Sequence, residues 1–216
     1  DADNNVALGH SAMTTNVLGS ESVAIGTFSL NAMNPATAAN MYNTAVGHNS
    51  GAAITTGIQN TLIGALAGDH LTDADFNVAV GINALTADTL GSSSTALGDN
   101  ALATQNFTTP THSYNVAVGI SAGKLLTTGI KNTLIGGLAG DSITGAGFAN
   151  NGDRNAGGDS NVLLGYLAGQ NISTGDSNIM IGTVNADSAT ADGQLAIGGF
   201  MTGNGNANVA MGGNLS

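Results

Sequence analysis

The apolar residues of this chain fall in short runs that alternate in size, and each run is closed by a glycine. Asn60-Thr61-Leu62-Ile63-Gly64-Ala65-Leu66-Ala67-Gly68-Asp69 returns at Asn132 to Asp141 with one change in ten, and looser copies run from end to end. Such self-similarity marks a repeat architecture. The closing glycines are Gly9, Gly26, Gly47, Gly64, Gly81, Gly98, Gly119, Gly136, Gly165, Gly182, Gly198 and Gly212, and the commonest spacing between them is 17 residues. A longer period of 72 residues maps Gly9, Gly26, Gly47 and Gly64 onto Gly81, Gly98, Gly119 and Gly136, which reads as a duplicated four-coil block spanning residues 5–76 and 77–148.

Each column of the repeat predicts a local structure. Asn stands four residues before the glycine in nine of twelve copies. A short amide at one recurring corner bonds the backbone of its own turn or stacks as a ladder. Asn43, Asn60, Asn77, Asn115 and Asn132, with the glycines Gly47, Gly64, Gly81, Gly119 and Gly136, are therefore expected to form the structural ladder and turn. The next column is Val, Ile or Thr, the next is mostly Ala, and the last before the glycine is aliphatic. That is strand composition with strand alternation. The branched columns are expected to fill the coil interior and the Ala column to face a closely packed neighbouring chain. Ala or Ser three residues past the glycine predicts a second small-residue strand, and the recurrent glycine itself predicts positive φ or space too tight for a Cβ. Thr-Gly pairs at 56–57, 128–129, 174–175 and 202–203 mark the turn back. The fold expected is all-β: one domain over residues 1–216, a parallel β-roll or solenoid of about 12 short coils.

Insertions near residues 33–42, 104–114 and 149–160 interrupt the coils and hold both prolines, Pro35 and Pro110. Insertions in a solenoid become loops, often on the binding face. Tyr42 and Tyr114 are 72 apart, as are Phe76 and Phe148. They either pack where the chain re-enters a coil or stand on an aromatic protrusion, and Phe107 is expected to be the most exposed. Candidate receptor contacts are Tyr42, Phe107, His112, Tyr114 and Arg154.

Charge narrows the partners. The chain has 14 acidic residues against three basic ones, with none of the latter before Lys124. This argues against nucleic acid and against an anionic membrane surface. There is no cysteine, no stretch long enough to span a bilayer, and no initiator Met, so Asp1 is expected to begin a fragment or processed product. Nothing in the repeat builds a cavity around the carboxylate pairs Asp73/Asp75, Asp153/Asp159 or Asp187/Asp192, so neither catalytic residues nor cofactor nor metal is expected. His10 and His48 share a column and are expected to be solvated or stacked.

Asn43-Thr44-Ala45-Val46-Gly47, Asn77-Val78-Ala79-Val80-Gly81 and Ser22-Val23-Ala24-Ile25-Gly26 resemble the repeat of YadA-like heads in trimeric autotransporter adhesins. Asn115 to Lys131, with its Thr-Thr-Gly turn, is similar to repeats in phage and phage-like tail fibres. Adhesin heads use a shorter repeat, matched here only by the 14-residue step from Gly198 to Gly212, so the fibre resemblance is the nearer one. The resemblance covers Asn5 to about Gly213. It implies a left-handed β-roll packed as a homotrimer, attached to other virion or surface-fibre components, on a virion or at a cell surface. The function it implies is attachment to a cell-surface glycan or protein receptor. The other readings are an ice-binding solenoid, a capsid decoration and a pure spacer; for ice binding, Thr44, Thr61, Thr95 and Thr133 share a column, which is expected to point inward.

Overall fold

The computed structural model describes residues 2–145 and 157–198. Phe148, Arg154, Thr202-Gly203, Gly212 and most of the third insertion lie outside the described residues. In chain order the strands are β1 (Val6–Leu8), β2 (Gly19–Ser20), β3 (Val23–Ile25), β4 (Ala39–Asn40), β5 (Thr44–Val46), β6 (Thr61–Ile63), β7 (Val78–Val80), β8 (Gly91–Ser92), β9 (Thr95–Leu97), β10 (Thr111–His112), β11 (Val116–Val118), β12 (Thr133–Ile135), β13 (Val162–Leu164), β14 (Ile179–Ile181) and β15 (Leu195–Ile197). Eleven of them, one per coil, stack into a single parallel sheet in the order β1-β3-β5-β6-β7-β9-β11-β12-β13-β14-β15. Register never slips: Ala24 pairs with Ala45, Ala45 with Leu62 and Leu62 with Ala79, so repeat columns become physical columns. At about 4.8 Å per step the sheet runs roughly 50 Å. This is a parallel β-solenoid with no helix among the described residues.

Two features of the Asn column explain why the coil closes and why coils stack. Asn60 Nδ2 donates to the carbonyl of Ala74, fourteen residues on, at 2.8 Å, and Asn60 Oδ1 accepts the backbone N–H of Asn77, one coil further, at 3.0 Å. Asn43, Asn115, Asn132, Asn161 and Asn178 repeat both bonds. These amides are buried, so each bond is made in low dielectric, where leaving either partner unpaired would cost ~1–3 kcal/mol.

The same bonds correct the expected orientation of the strands. Asn points into the coil, and side chains alternate, so the residue two further on points inward too. Ala24, Ala45, Leu62, Ala79, Ala96, Ala117 and Leu134 are fully buried, while the flanking branched residues are half-buried or exposed on the outer face. The Ala column is therefore core, and the Val, Ile and Thr columns, including Thr44, Thr61, Thr95 and Thr133, face out.

The second expected strand is also absent from the described residues. The segment after each closing glycine from Gly9 to Gly165 is a turn in which two alternate residues take the left-handed region, as at Leu66 (φ 60°) and Gly68 (φ 56°). The small residue between them, Ala67, is buried. Gly64 itself sits at φ 134°, and a Cβ there would collide with the carbonyl of Gly81 in the next coil, so both expected reasons for glycine apply together.

Core volume is shared between strand centre and turn, and between neighbouring coils: Ala45 stands with Gly51, and a Cβ on Gly51 would meet Leu62 Cδ1 of the next coil at 2.8 Å. Where the strand centre is Leu62, the turn position six residues on is Gly68, and a Cβ on Gly68 would meet Leu62 Cδ2 at 2.9 Å. Where the centre is Ala79, that position is Leu85, fully buried at φ 55°. Ile54, Leu71, Leu126, Ile143 and Ile172, each seven residues past a closing glycine, complete the interior. Leu62→Ala is expected to lower unfolding free energy by ~2–5 kcal/mol through a cavity. Adding Gly68→Leu together with Leu71→Met should recover at least half of that loss in guanidinium denaturation, because the three positions then copy Ala24, Leu30 and Met33, and the Leu71 Cδ1 that a Cβ on Gly68 would meet at 2.8 Å is gone.

Candidate functional site

The insertions are not plain loops. Residues 33–42 contain β4, which pairs in parallel with β2, and residues 104–114 contain β10, which pairs with β8. Each insertion is thus a short ladder against the preceding coil and carries its last aromatic, Tyr42 or Tyr114, to a fixed corner.

That corner is the position directly before the Asn ladder. Along the rod it holds Tyr42, Gln59, Phe76, Ser93, Tyr114 and Lys131, all in the left-handed region with φ between 51° and 62°. The corner carries the chain from the returning turn into the strand, and its side chain is left outside the coil. Tyr42 is 50% exposed, Phe76 46% and Tyr114 57%, so these aromatics protrude rather than pack at the coil entry. Phe107 does the opposite of what the sequence suggests: it is 1% exposed and forms part of the floor beneath the second insertion.

Around that floor lies a recess of about 550 Å³, lined by Phe107, Thr109, Pro110, Thr111, His112, Tyr114, Thr128, Ile130 and Lys131. Three of the five candidate receptor residues, Phe107, His112 and Tyr114, come together here. Tyr42 lies four coils away in the equivalent corner of the first block, and Arg154 is outside the described residues. His112 and Tyr114 are stacked, with centroids 5.7 Å apart and planes 22° from parallel. Ser93 Oγ holds His112 Nδ1 at 2.9 Å from the preceding coil. Lys131 occupies the corner one coil beyond Tyr114, and its backbone N–H donates to Ser113 O at 2.7 Å.

The wall of the recess is anchored by a buried polar network that sequence reasoning missed. Asp88 is fully buried. Its Oδ1 accepts the N–H of Gly91 and of Phe107, each at 3.0 Å, and its Oδ2 accepts Gln105 Nε2 at 2.6 Å. Gln105 also donates to Ser94 Oγ at 2.8 Å, and its Oε1 accepts Asn115 Nδ2 at 2.8 Å, which ties the network to the Asn ladder. Burial raises the Asp88 carboxyl above its ordinary value, against the lowering effect of Gln105 and of the backbone donors. The 72-residue period held a signal for this: Asp88 and Gln105 stand where the first block has Asn16 and Met33. Asn16 caps Gly19 by itself, with Oδ1 accepting the Gly19 N–H at 2.9 Å.

Asp75, Asp159, Asp176 and Asp192 each cap a backbone N–H of the preceding coil. Asp75 Oδ1 accepts Ile58 N–H and Asp159 Oδ1 accepts Ile130 N–H, at 2.8 and 2.7 Å. Burial, and next the neighbouring Asp176, raise the Asp159 carboxyl, against the Ile130 N–H and Lys131. His10 stacks edge-on against Phe28, with centroids 5.4 Å apart. Among the described residues no group of three or more His, Cys, Asp or Glu side chains is placed to hold a metal ion. No protein-family model, curated protein or solved structure matches this chain.

A raised folded-state pKa means that the native protein takes up a proton before the unfolded chain does as pH falls. The cost of ionised Asp88 is then fully present above its folded pKa and is relieved as pH drops towards the ordinary aspartate range. Asp88→Asn with Gln105→Met, which copies Asn16/Met33, should remove this component. Its melting temperature should lie above that of the parent at neutral pH and should converge on it towards pH 4. Asp88→Asn alone sets two amide donors face to face and should be less stable than the double variant.

Proposed function

We propose that this chain is a segment of a homotrimeric fibre or adhesin for host-cell attachment, most nearly a virion tail or surface fibre. Its role is structural and receptor-binding rather than catalytic. The observation that carries the reading is the outer face of the eleven-stranded sheet. Two parallel columns of Val, Ile, Leu and Thr run its whole length and are left half-buried or exposed by the single chain, with Ile63 40%, Ile135 41% and Ile179 41% exposed. A contiguous apolar strip of this length is larger than monomers ordinarily leave in water. Two further copies of the same chain, each offering the same flat and register-locked strip, cover it in a closed cyclic arrangement that ends the association at three.

The repeat's likeness to YadA-like heads and to phage fibres supports the same assembly. In it the rod spaces and displays, while the insertions and the exposed corner column contact a cell-surface glycan or protein receptor. A polar surface rich in Asn, Thr and Ser suits sugar hydroxyls, and the acidic balance disfavours nucleic acid. Such a segment works outside the cell that receives it, on a virion or at a cell surface, joined to other fibre components.

One observation favours a second reading. The outward Thr column at Thr44, Thr61, Thr95 and Thr133, beside a column of methyl groups, is also a flat surface on which an ordered water lattice could dock. Light scattering on a sizing column separates the two. The fibre reading expects three times 21.0 kDa, stable to dilution. Val80→Asp with Val118→Asp should shift that mass to one chain while leaving circular dichroism unchanged, since both side chains point out of the coil. A stable monomer that shows thermal hysteresis would replace the fibre reading with the ice-binding one.

A further inference from the structure

We propose that the recess beside the second insertion binds an acidic monosaccharide unit, a uronic or sialic acid, with the sugar ring on Tyr114 and the carboxylate on the Lys131 ammonium. The inference rests on the attachment reading above and specifies the ligand of one site. The volume of about 550 Å³ suits one or two sugar units. Its exposed ring pair is held in place: Tyr114 stands on a left-handed corner, His112 stacks on it, and Ser93 Oγ bonds His112 Nδ1. An aromatic face fixed in this way accepts the apolar face of a pyranose with little loss of side-chain entropy. Thr109 and Thr111 supply hydroxyls on the opposite wall, although Thr111 Oγ1 already donates to Thr109 O at 3.0 Å.

Charge selects the acid. The chain carries formal net charge −11, yet this recess is lined by a lysine and a histidine and by no carboxylate. Behind the recess Asp159 accepts the Ile130 N–H and shares the field of Lys131, so the ammonium is partly balanced on its protein side and open on the side of the recess. The duplicated block supplies the comparison within one molecule. Tyr42 matches Tyr114, but Gln59 stands in place of Lys131 and Asn40 in place of His112, so the first block offers the aromatic corner without the cation.

The test is calorimetric or saturation-transfer titration of the full chain with glucuronic acid, N-acetylneuraminic acid, glucose and acetate. Glucuronic or N-acetylneuraminic acid should bind in the millimolar range or better and glucose at least ten-fold more weakly. Lys131→Gln, which copies the first block, should abolish the preference for the acid, and Tyr114→Ala should weaken both classes of sugar. Equal binding of glucose and the acids, no binding of either, an unchanged Lys131→Gln variant, or acetate competing as well as the sugars would each overturn the proposal. Cell attachment that survives Lys131→Gln would also overturn it while leaving the attachment reading intact. A monomeric chain that still binds the acidic sugar would retain the recess and remove the fibre.

Discussion

Each coil depends on an asparagine amide that bonds in two directions. Its N–H₂ closes the loop of its own coil and its C=O receives the backbone of the next, so one side chain replaces the local closure that a helix or hairpin obtains from its own hydrogen-bond pattern. Only Asn has the donor, the acceptor and the short reach together. Where the column changes to Ser22 or Ser94 the closing donor is lost, and those two coils carry the first and second insertions, in which β2–β4 and β8–β10 ladders take over. At Gln194 the longer amide turns instead to Asp187, Nε2 to Oδ2 at 2.8 Å, in the coil where the 17-residue spacing first shortens.

This closure holds the backbone where most residues avoid it. Twenty-three non-glycine residues have positive φ among the described residues, including Leu, Phe, Tyr and Met. Each such residue costs about 1 kcal/mol or more in isolation. A single coil could not sustain them. They persist because the turns are bonded from coil to coil, as Leu66 N–H to His48 O and Gly68 N–H to Ala84 O, and because Leu62/Gly68 and Ala79/Leu85 keep the interior filled whichever column carries the bulk. Stability is thus a property of the stack, as in other nearest-neighbour repeat proteins.

The repeat made the solenoid legible in the sequence: the first strand of each coil, the Asn ladder and the tight glycine follow from columns, whereas the second expected strand is a turn and eleven of the twelve expected coils stack among the described residues. The inside and outside of the strand were legible too, but from a different residue. Amino-acid type suggested that Val and Ile go in and Ala goes out. Parity with the Asn decides otherwise, because an amide that must reach across its own coil forces the residue two places on, Ala45 after Asn43, to point the same way. A 17-residue coil encloses too little space for two branched columns, so they are displaced to the surface. The site was legible only in part. Tyr114 and His112 were visible as aromatic residues at an insertion, but Phe107 is held by Asp88 through its N–H, a contact the first block cannot make because Pro35 stands in place of Phe107.

The two blocks show how a duplicated rod acquires a local site without losing its lattice. The coil frame is conserved between them to the residue, down to Asn43/Asn115 and Gly47/Gly119, because each of these positions is bonded on both sides. Change falls between these two columns, in the core filling and in the insertions. Met33 becoming Gln105 and Asn16 becoming Asp88 brings a carboxyl into the interior at a cost that its four hydrogen-bonded neighbours only partly offset, as the raised pKa records. What that cost supports is position: Asp88 fixes Phe107, Phe107 floors the recess, and the insertion above it places His112 against Tyr114. The buried carboxyl is present in one block alone, so the two insertions share the same parallel ladder and differ in what stands beneath them.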